Sequence, residues 1–514
     1  MKTVKILFCL SFIGNCIPFS SDAQVLSTGL KIPCIPCEQL KTLDWPDLTI
    51  SDATIMDAKT PHCKVTGTIG KEINFELLLP MEWNGRFVMG GGGGFVGAVQ
   101  NVAQSQVNEG FATVGTDTGH KGHGMKADWA LLNIERQINF GYLAIHRTAI
   151  VSKALISHFY GSPPGYSYFI GGSRGGGQAM IEAQRYPDDF DGIVAGCPVI
   201  DWPATTAEFI QNMQVLYPNP SNLTEPMFSK EHLVLLQDEV LKQCDEIDGL
   251  KDQILNDPRN CNFDFSKLPK CKKDNEGNDC FTSRQINALK IVYGALENEE
   301  EIIYPGFPFG CEAESNGWLL WVFGTKEAAE KTGFPSAQFG FGTELFKYFI
   351  FHDPDWDYSK YDFSSYFDDT RFASSFLNAT STDYSKFKNR GSKMIIYHGW
   401  NDPGLSAYTA IEHYEKAKAK DAEIENYLRL FLLPGVLHCG GGSGPDHADW
   451  FSLIRDWVEN DNPPEKVILS KMQDGKVVMT RPVFPYPGIA KYNGNGDPDV
   501  ESSFESSETG EIFK

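Results

Sequence analysis

Tyr168-Phe169-Ile170-Gly171-Gly172-Ser173-Arg174-Gly175-Gly176-Gly177-Gln178 packs a strand, a sharp turn and the start of a helix into one short stretch. The residues at 168–170 are strong strand formers, the glycines punctuate, and 178–185 reads as a helix. Within it, Gly171-Gly172-Ser173-Arg174-Gly175 fits G-x-S-x-G in the strand–turn–helix setting that gives this motif its meaning. A serine on so cramped a turn needs glycine on either side, because backbone approaches it closely. The helix N-terminus behind it supplies free N–H groups and partial positive charge. A phosphate-binding loop would end Gly-Lys-Ser/Thr, and this one ends Gly-Gly-Gln. Ser173 is therefore the candidate nucleophile.

On both sides of this stretch the chain alternates strands and helices. Phe87-Val88-Met89 runs into Gly90-Gly91-Gly92-Gly93-Gly94, and Phe111-Ala112-Thr113-Val114 ends at Gly115. Residues 142–159 carry apolar side chains near helical spacing, and Ile193-Val194-Ala195 is a further strand. Alternation of this kind predicts an α/β fold on a parallel sheet. It breaks over 201–390, rich in Asp, Asn, Pro, Cys and, from Trp318 to Phe376, aromatics. It resumes with a strand at 393–397, a helix at 407–418, a strand at 428–433 and a helix at 448–458. One α/β domain in two segments, 24–200 and 391–514, is thus expected around an inserted domain at 201–390. The acidic tail after Gly494 is expected to fray.

Acidic residues outnumber basic ones, 67 against 45, for a formal charge of −22 over 514 residues. That balance argues against nucleic acid and against an anionic membrane surface as partners. Lys2 and Lys5 precede an apolar run at 6–13, and Ser21-Asp22-Ala23 offers small residues before a cut. This layout predicts a signal peptide at 1–23 and a secreted or periplasmic protein, in which disulfides are permitted. Cys9 and Cys16 would leave with the signal, and the cysteines that stay have no zinc-type spacing.

A serine hydroxyl needs a base and an orienting acid, which in this type of fold follow in the order Ser, Asp/Glu, His. Asp402 lies in the loop after the strand at 393–397, and His438 in the loop after the strand at 428–433. His398 precedes the acid, and Asp446 and Asp449 follow His438, so these three break the order, while His447 reads as a solvated loop histidine. An oxyanion requires N–H donors. One is expected from Arg174, the residue after the nucleophile, and the other from Gly92 or Gly93 in the glycine run. Asp245, Asp248 and Asp252 form a second cluster around Gly249, readable either as a hard-cation loop or as a solvated acidic turn.

Taken together the chain resembles the tannase and feruloyl esterase family of α/β-hydrolases. The resemblance runs from Cys37-Glu38-Gln39-Leu40 to Trp457-Val458-Glu459. It is carried by Trp83-Asn84-Gly85-Arg86-Phe87, Asp117-Thr118-Gly119-His120, Glu182-Ala183-Gln184-Arg185-Tyr186-Pro187, Phe190-Asp191-Gly192-Ile193-Val194-Ala195-Gly196, Tyr397-His398-Gly399-Trp400 and His438-Cys439-Gly440-Gly441-Gly442. It implies an α/β-hydrolase core under a lid, and carboxylic ester hydrolysis through an acyl-enzyme on Ser173, Asp402 and His438. The substrates implied are esters of hydroxycinnamic, gallic or related aromatic acids, including a terephthalate monoester, free or on polysaccharide fragments. It also implies a structural Ca²⁺ in the lid, held by Asp245, Asp248 and Asp252 with the carbonyls of Leu250 and Ile254. The chain departs from the family at one point. The family joins a Cys before the nucleophile to the Cys after the catalytic His, and here Gly172 stands in the first place while Cys439 keeps the second.

Cys244 and Cys261 flank the acidic loop and are expected to pair, as are Cys271 with Cys280 and Cys37 with Cys63. Cys34, Cys197, Cys311 and Cys439 are left unassigned, and Cys439 is expected to be a buried free thiol lying within disulfide reach of residue 172. The lid aromatics from Trp318 to Phe351 serve either as a stacking surface for an aromatic acyl group or as lid core. Two other uses of such a scaffold are an acyltransferase or peptidase with the same three residues, and a non-catalytic binding protein.

Overall fold

The computed structural model describes residues 29–272, 277–299 and 301–508; the expected signal segment lies outside them. Fifteen strands are present among these residues: β1 (Leu48–Met56), β2 (His62–Ile69), β3 (Ile73–Pro80), β4 (Arg86–Gly90), β5 (Ala112–Thr116), β6 (Tyr166–Gly172), β7 (Gly192–Gly196), β8 (Leu296–Glu297), β9 (Ile302–Tyr304), β10 (Lys393–Gly399), β11 (Leu428–Leu433), β12 (Val467–Gln473), β13 (Lys476–Val483), β14 (Gly488–Tyr492) and β15 (Phe504–Glu508). Nine of them build one sheet in the order β1-β2-β3-β5-β4-β6-β7-β10-β11. The meander β1–β3 is antiparallel, and β3 pairs antiparallel with β5. From β5 to β11 every pairing is parallel.

Parallel strands covered by helices on both faces read as continuous apolar runs. Every residue of β5 and β7 is buried, as are all but the first of β4. Helices Ala144–Tyr160, Arg174–Arg185, Ala407–Lys420 and Trp450–Asn460 cover the sheet. The two faces carry separate apolar clusters, one around Phe87, Phe169, Ile193 and Ile396, the other around Tyr168, Ile395, Phe431 and Trp457.

The chain leaves this layer after β7 and returns at β10, which pairs directly with β7. Much of what lies between them packs around its own core of Phe209, Met213, Leu236, Leu289, Trp318 and Phe346, while Trp202, Phe349 and Phe376 cluster with Phe95 and Phe140 of the sheet domain, and Tyr384 and Phe387 join the core under the sheet. Part of the aromatic density that broke the alternation fills this second core. Disulfides join Cys37 to Cys63, Cys244 to Cys261 and Cys271 to Cys280. The tail after Gly494 does not fray throughout. Its β15 pairs antiparallel with β14, with Phe504 edge-on to Tyr492 and the Arg481 guanidinium over the Phe504 ring. These aromatic contacts supply burial that charge composition alone does not reveal. No helix of the described residues is long and apolar enough to cross a membrane.

Candidate active site

Ser173 sits where β6 meets the helix Arg174–Arg185, with φ 59° and ψ −120°. A non-glycine residue in that region costs roughly 1–3 kcal/mol and persists only where its surroundings enforce it. The enforcement is visible. A Cβ on Gly171 would lie 2.5 Å from the Gly175 carbonyl oxygen, and one on Gly176 would lie 2.4 Å from that of Gly196. The turn therefore closes only with glycine there, and Ser173 N–H donates to Gly196 O at 3.0 Å.

Three loops at the carboxyl ends of parallel strands meet here. Ser173 Oγ is 3.0 Å from His438 Nε2, and His438 Nδ1 is 2.7 Å from Asp402 Oδ2. The second Asp402 oxygen accepts from the N–H groups of Gly404 and Leu405, each at 2.8 Å. With His438 Nδ1–H donating to the carboxylate, Nε2 is left to accept the serine proton. Burial works to raise the pKa of Asp402, but the adjoining His438 and the bonds from His398 and His438 outweigh it and hold the carboxyl well below its ordinary range. His398, fully buried, donates from Nε2 to Leu405 O at 2.7 Å and lies 3.5 Å from Asp402. It stands beside the same carboxylate oxygen, Oδ2, that meets His438. The other rivals do different work: Asp449 caps the helix Trp450–Asn460, Asp446 accepts from Gly441 N–H, and His447 bridges to Ser470.

Arg174 is the first residue of its helix, so its N–H lies outside the helical ladder. The N–H groups of Gly92 and Gly93 donate to Gln178 Oε1 and Gln100 Oε1, at 3.2 and 2.8 Å. Gly94 borders the cleft in front of Ser173, whose free volume is about 30 Å³. Its other walls are Val199 and Leu405 and, from the insertion, Trp202, Thr205, Thr206, Phe209, Trp321 and Phe341. Trp321 also meets the His438 ring edge-on, centroids 4.6 Å apart. The lid aromatics thus divide: Trp321 and Phe341 face the cleft, while Trp318, Phe346 and Phe349 are core.

Sequence reasoning gave Arg174 a role through its backbone only. Its side chain is 1% exposed and donates from Nη2 to the carbonyls of Phe140 and Gly141, at 2.6 and 2.7 Å. Both carbonyls belong to a π-helical turn, Asn139–Leu143, where the normal ladder is interrupted. The guanidinium also lies over the rings of Phe140 and Trp202, and burial lowers its pKa to about 9.

Cys439 is not a free thiol. It is bonded to Cys197, the residue after β7, which leaves Cys34 and Cys311 as the free cysteines among the described residues. The parallel register explains the partner. Gly172 pairs with Gly196, so the end of β7 stands beside the end of β6, next to the histidine loop. A Cβ on Gly172 would lie 3.2 Å from Cys439 Sγ and 3.8 Å from Cys197 Sγ. Residue 172 is within reach, as expected, but the neighbouring strand has taken the bond.

In the acidic loop, Asp245 accepts from Gln253 N–H at 2.9 Å, Asp248 from Leu250 and Asn256 N–H at 3.1 and 3.0 Å, and Asp252 from Ile254 N–H at 3.2 Å. Arg481 of β13 is ion-paired with Asp252. Burial, then the nearby Asp252, push Asp248 up to about 6, and Asp245 is raised chiefly by burial. Three carboxylates beside one guanidinium offer oxygen donors of the kind a hard divalent cation takes, but their ligand atoms do not all converge within 4.8 Å of one another. The groups whose ligand atoms converge within 4.8 Å among the described residues lie elsewhere. One is Cys197, His438 and Cys439, whose sulfurs are consumed in the disulfide. The other is His146, Glu182 and Asp189, where Lys153 already donates to the Asp189 carbonyl, and burial with Asp189 raises Glu182 well above its ordinary pKa.

Residues 58–507 match the family described as tannase and feruloyl esterase. A mono(2-hydroxyethyl) terephthalate hydrolase of Piscinibacter sakaiensis is 30% identical, the match covering 90% of this chain and 87% of the relative. A probable feruloyl esterase of Arthroderma benhamiae is 31% identical over 90% of this chain and 86% of its own length. The crystal structure of feruloyl esterase B from Aspergillus oryzae superposes with a TM-score of 0.81 at 25% identity, covering 92% of this chain and 99% of that one. The chain belongs to the tannase and feruloyl esterase family and is a carboxylic ester hydrolase with an α/β-hydrolase fold.

Proposed function

We propose that this protein is a secreted serine esterase that cleaves esters of aromatic carboxylic acids through an acyl-enzyme. The observation that carries the reading is the unbroken line Ser173 Oγ–His438 Nε2, His438 Nδ1–Asp402 Oδ2 at an aromatic-walled cleft. Ser173 Oγ adds to the ester carbonyl carbon while its proton passes to His438 Nε2. Asp402 holds the ring in the tautomer that accepts this proton and stabilises the imidazolium formed. Charge on the carbonyl oxygen falls to the N–H of Arg174 and to a second donor from the glycine run; Gly92 and Gly93, the expected members, already donate to Gln178 and Gln100, and Gly94 is the member that borders the cleft. Collapse expels the alcohol, protonated by His438. Water, deprotonated by the same nitrogen, then releases the acid and restores Ser173.

The names of the relatives point to a feruloyl ester or a terephthalate monoester and the family description adds tannase, so we take feruloyl, galloyl or a terephthalate monoester as the acyl group; the aromatic walls suit a flat ring. Four disulfides and the signal-like N-terminus support export. Asp245, Asp248 and Asp252 would hold Ca²⁺ with the carbonyls of Leu250 and Ile254. The ion would tie down the loop that Cys244–Cys261 closes and take no part in acyl transfer. Hydrolysis of methyl ferulate, methyl gallate and a terephthalate monoester by wild type and Ser173→Ala tests the function. The variant should keep its fold and lose turnover to the level of about 10³–10⁴ over water typical of such knockouts. Near-wild-type kcat in folded Ser173→Ala would refute it.

A further inference from the structure

The loop that presents Asp402 has two sets of supports. The sheet holds its first half: Trp400 N–H donates to Leu433 O and Asn401 N–H to Val436 O, each at 3.0 Å. His398 of β10 also holds Leu405 O, at 2.7 Å, and three further polar groups of the loop are held by the insertion. Gln338 Nε2 donates to Pro403 O at 3.0 Å, and Tyr304 OH accepts from Ser406 N–H at 2.8 Å. Asn401 Nδ2 donates to Phe309 O at 2.7 Å. Gln338 is itself fixed, because its Oε1 accepts from Asn212 Nδ2 at 3.0 Å, and both side chains are fully buried. Close packing seals the arrangement: a Cβ on Gly404 would lie 2.8 Å from the Trp321 ring, and one on Gly310 would lie 2.5 Å from Asn401 Nδ2.

We infer that Gln338 and Tyr304 are positioning residues for the acid: through Pro403 and Ser406 the insertion sets where the Asp402 carboxylate stands against His438. The inference rests on the proposed role of Asp402. Its two oxygens divide the labour, one accepting from Gly404 and Leu405 and the other meeting His438. Pro403 and Ser406 bracket the two residues whose N–H groups orient the carboxylate. A shift of either therefore turns the carboxylate against the brace that His398 of β10 supplies through Leu405 O. Buried amide groups that lose their partners do not stay in place, because no water reaches them. The insertion thus does more than cover the cleft: it completes a site whose three reacting side chains all come from the sheet domain.

The test uses the full chain carrying Gln338→Met or Tyr304→Phe. Active sites are titrated with a fluorophosphonate, so that kcat is expressed per reactive Ser173 and unfolded protein is not counted. Both variants should lose about tenfold to a hundredfold in kcat and in phosphonylation rate, with KM within about twofold, as for a small misplacement of a reacting group. A merely structural role would lower the melting temperature and the number of titrated sites but leave the rate per site unchanged. If Gln338→Met does not fold, Tyr304→Phe decides. Per-site kcat within twofold of wild type, with Asp402→Asn down by about 10⁴, overturns the inference and leaves the proposed mechanism standing. An Asp402→Asn protein of full activity overturns both.

Discussion

Cys197→Ser removes the one covalent link between the histidine loop and the strand beside the nucleophile. The bond spans 242 residues. With the chain-entropy relation, a loop of that length contributes up to about 5 kcal/mol to stability. At ~2.1 cal/mol/K of unfolding entropy per residue, that is a fall of roughly 5 °C in Tm over a chain of 514. Activity should fall as well, because Cys439 adjoins His438 and its sulfur lies 3.9 Å from Nε2. The assay is a thermal melt and a kcat measurement on wild type, Cys197→Ser and the double variant Gly172→Cys/Cys197→Ser. The double variant should form a bond from residue 172 to Cys439 and recover most of both losses. Its Cβ approaches that sulfur at 3.2 Å, and Gly196 O stands 3.8 Å away. Peptide mapping without reduction reads the pairings directly. Native Cys439 found unlinked to Cys197, or a folded double variant whose residue 172 stays unlinked under oxidant, would refute the reasoning.

Two further perturbations bear on the acidic loop and the cleft. Chelation should lower Tm, and added Ca²⁺ should restore it by mass action, whereas Asp248→Ala should melt alike in both conditions; an unchanged melt of the wild type on chelation would remove the ion from the account. Trp321→Ala should raise KM for aromatic acyl esters about five- to thirtyfold, the equivalent of ~1–2 kcal/mol of lost ring contact, while an acetyl ester changes little. Equal losses on both substrates would mean that Trp321 supports His438 rather than the acyl group.

The α/β alternation, the place where it breaks and the three candidate reacting residues were legible in the sequence because each is a local event. A strand must stop, and the residue just past its end must turn, so Ser173, Asp402 and His438 announce themselves by what precedes them. The paired cysteines of the insertion were legible for the same reason, since Cys244–Cys261 and Cys271–Cys280 close short loops of 17 and 9 residues. The partner of Cys439 was not. It depends on β7 lying beside β6 in register, Gly172 against Gly196, and no local pattern records which strand neighbours which. The buried Arg174 guanidinium likewise needs a π-helical turn thirty-odd residues earlier in the chain to offer its free carbonyls. The supports of the Asp402 loop, Tyr304 and Gln338, stand in a stretch whose irregular composition hid them. Local sequence determines which residues turn, extend or coil, because those choices are made within a few bonds. Tertiary packing alone decides which distant polar groups meet, because a buried donor takes whichever acceptor the fold delivers.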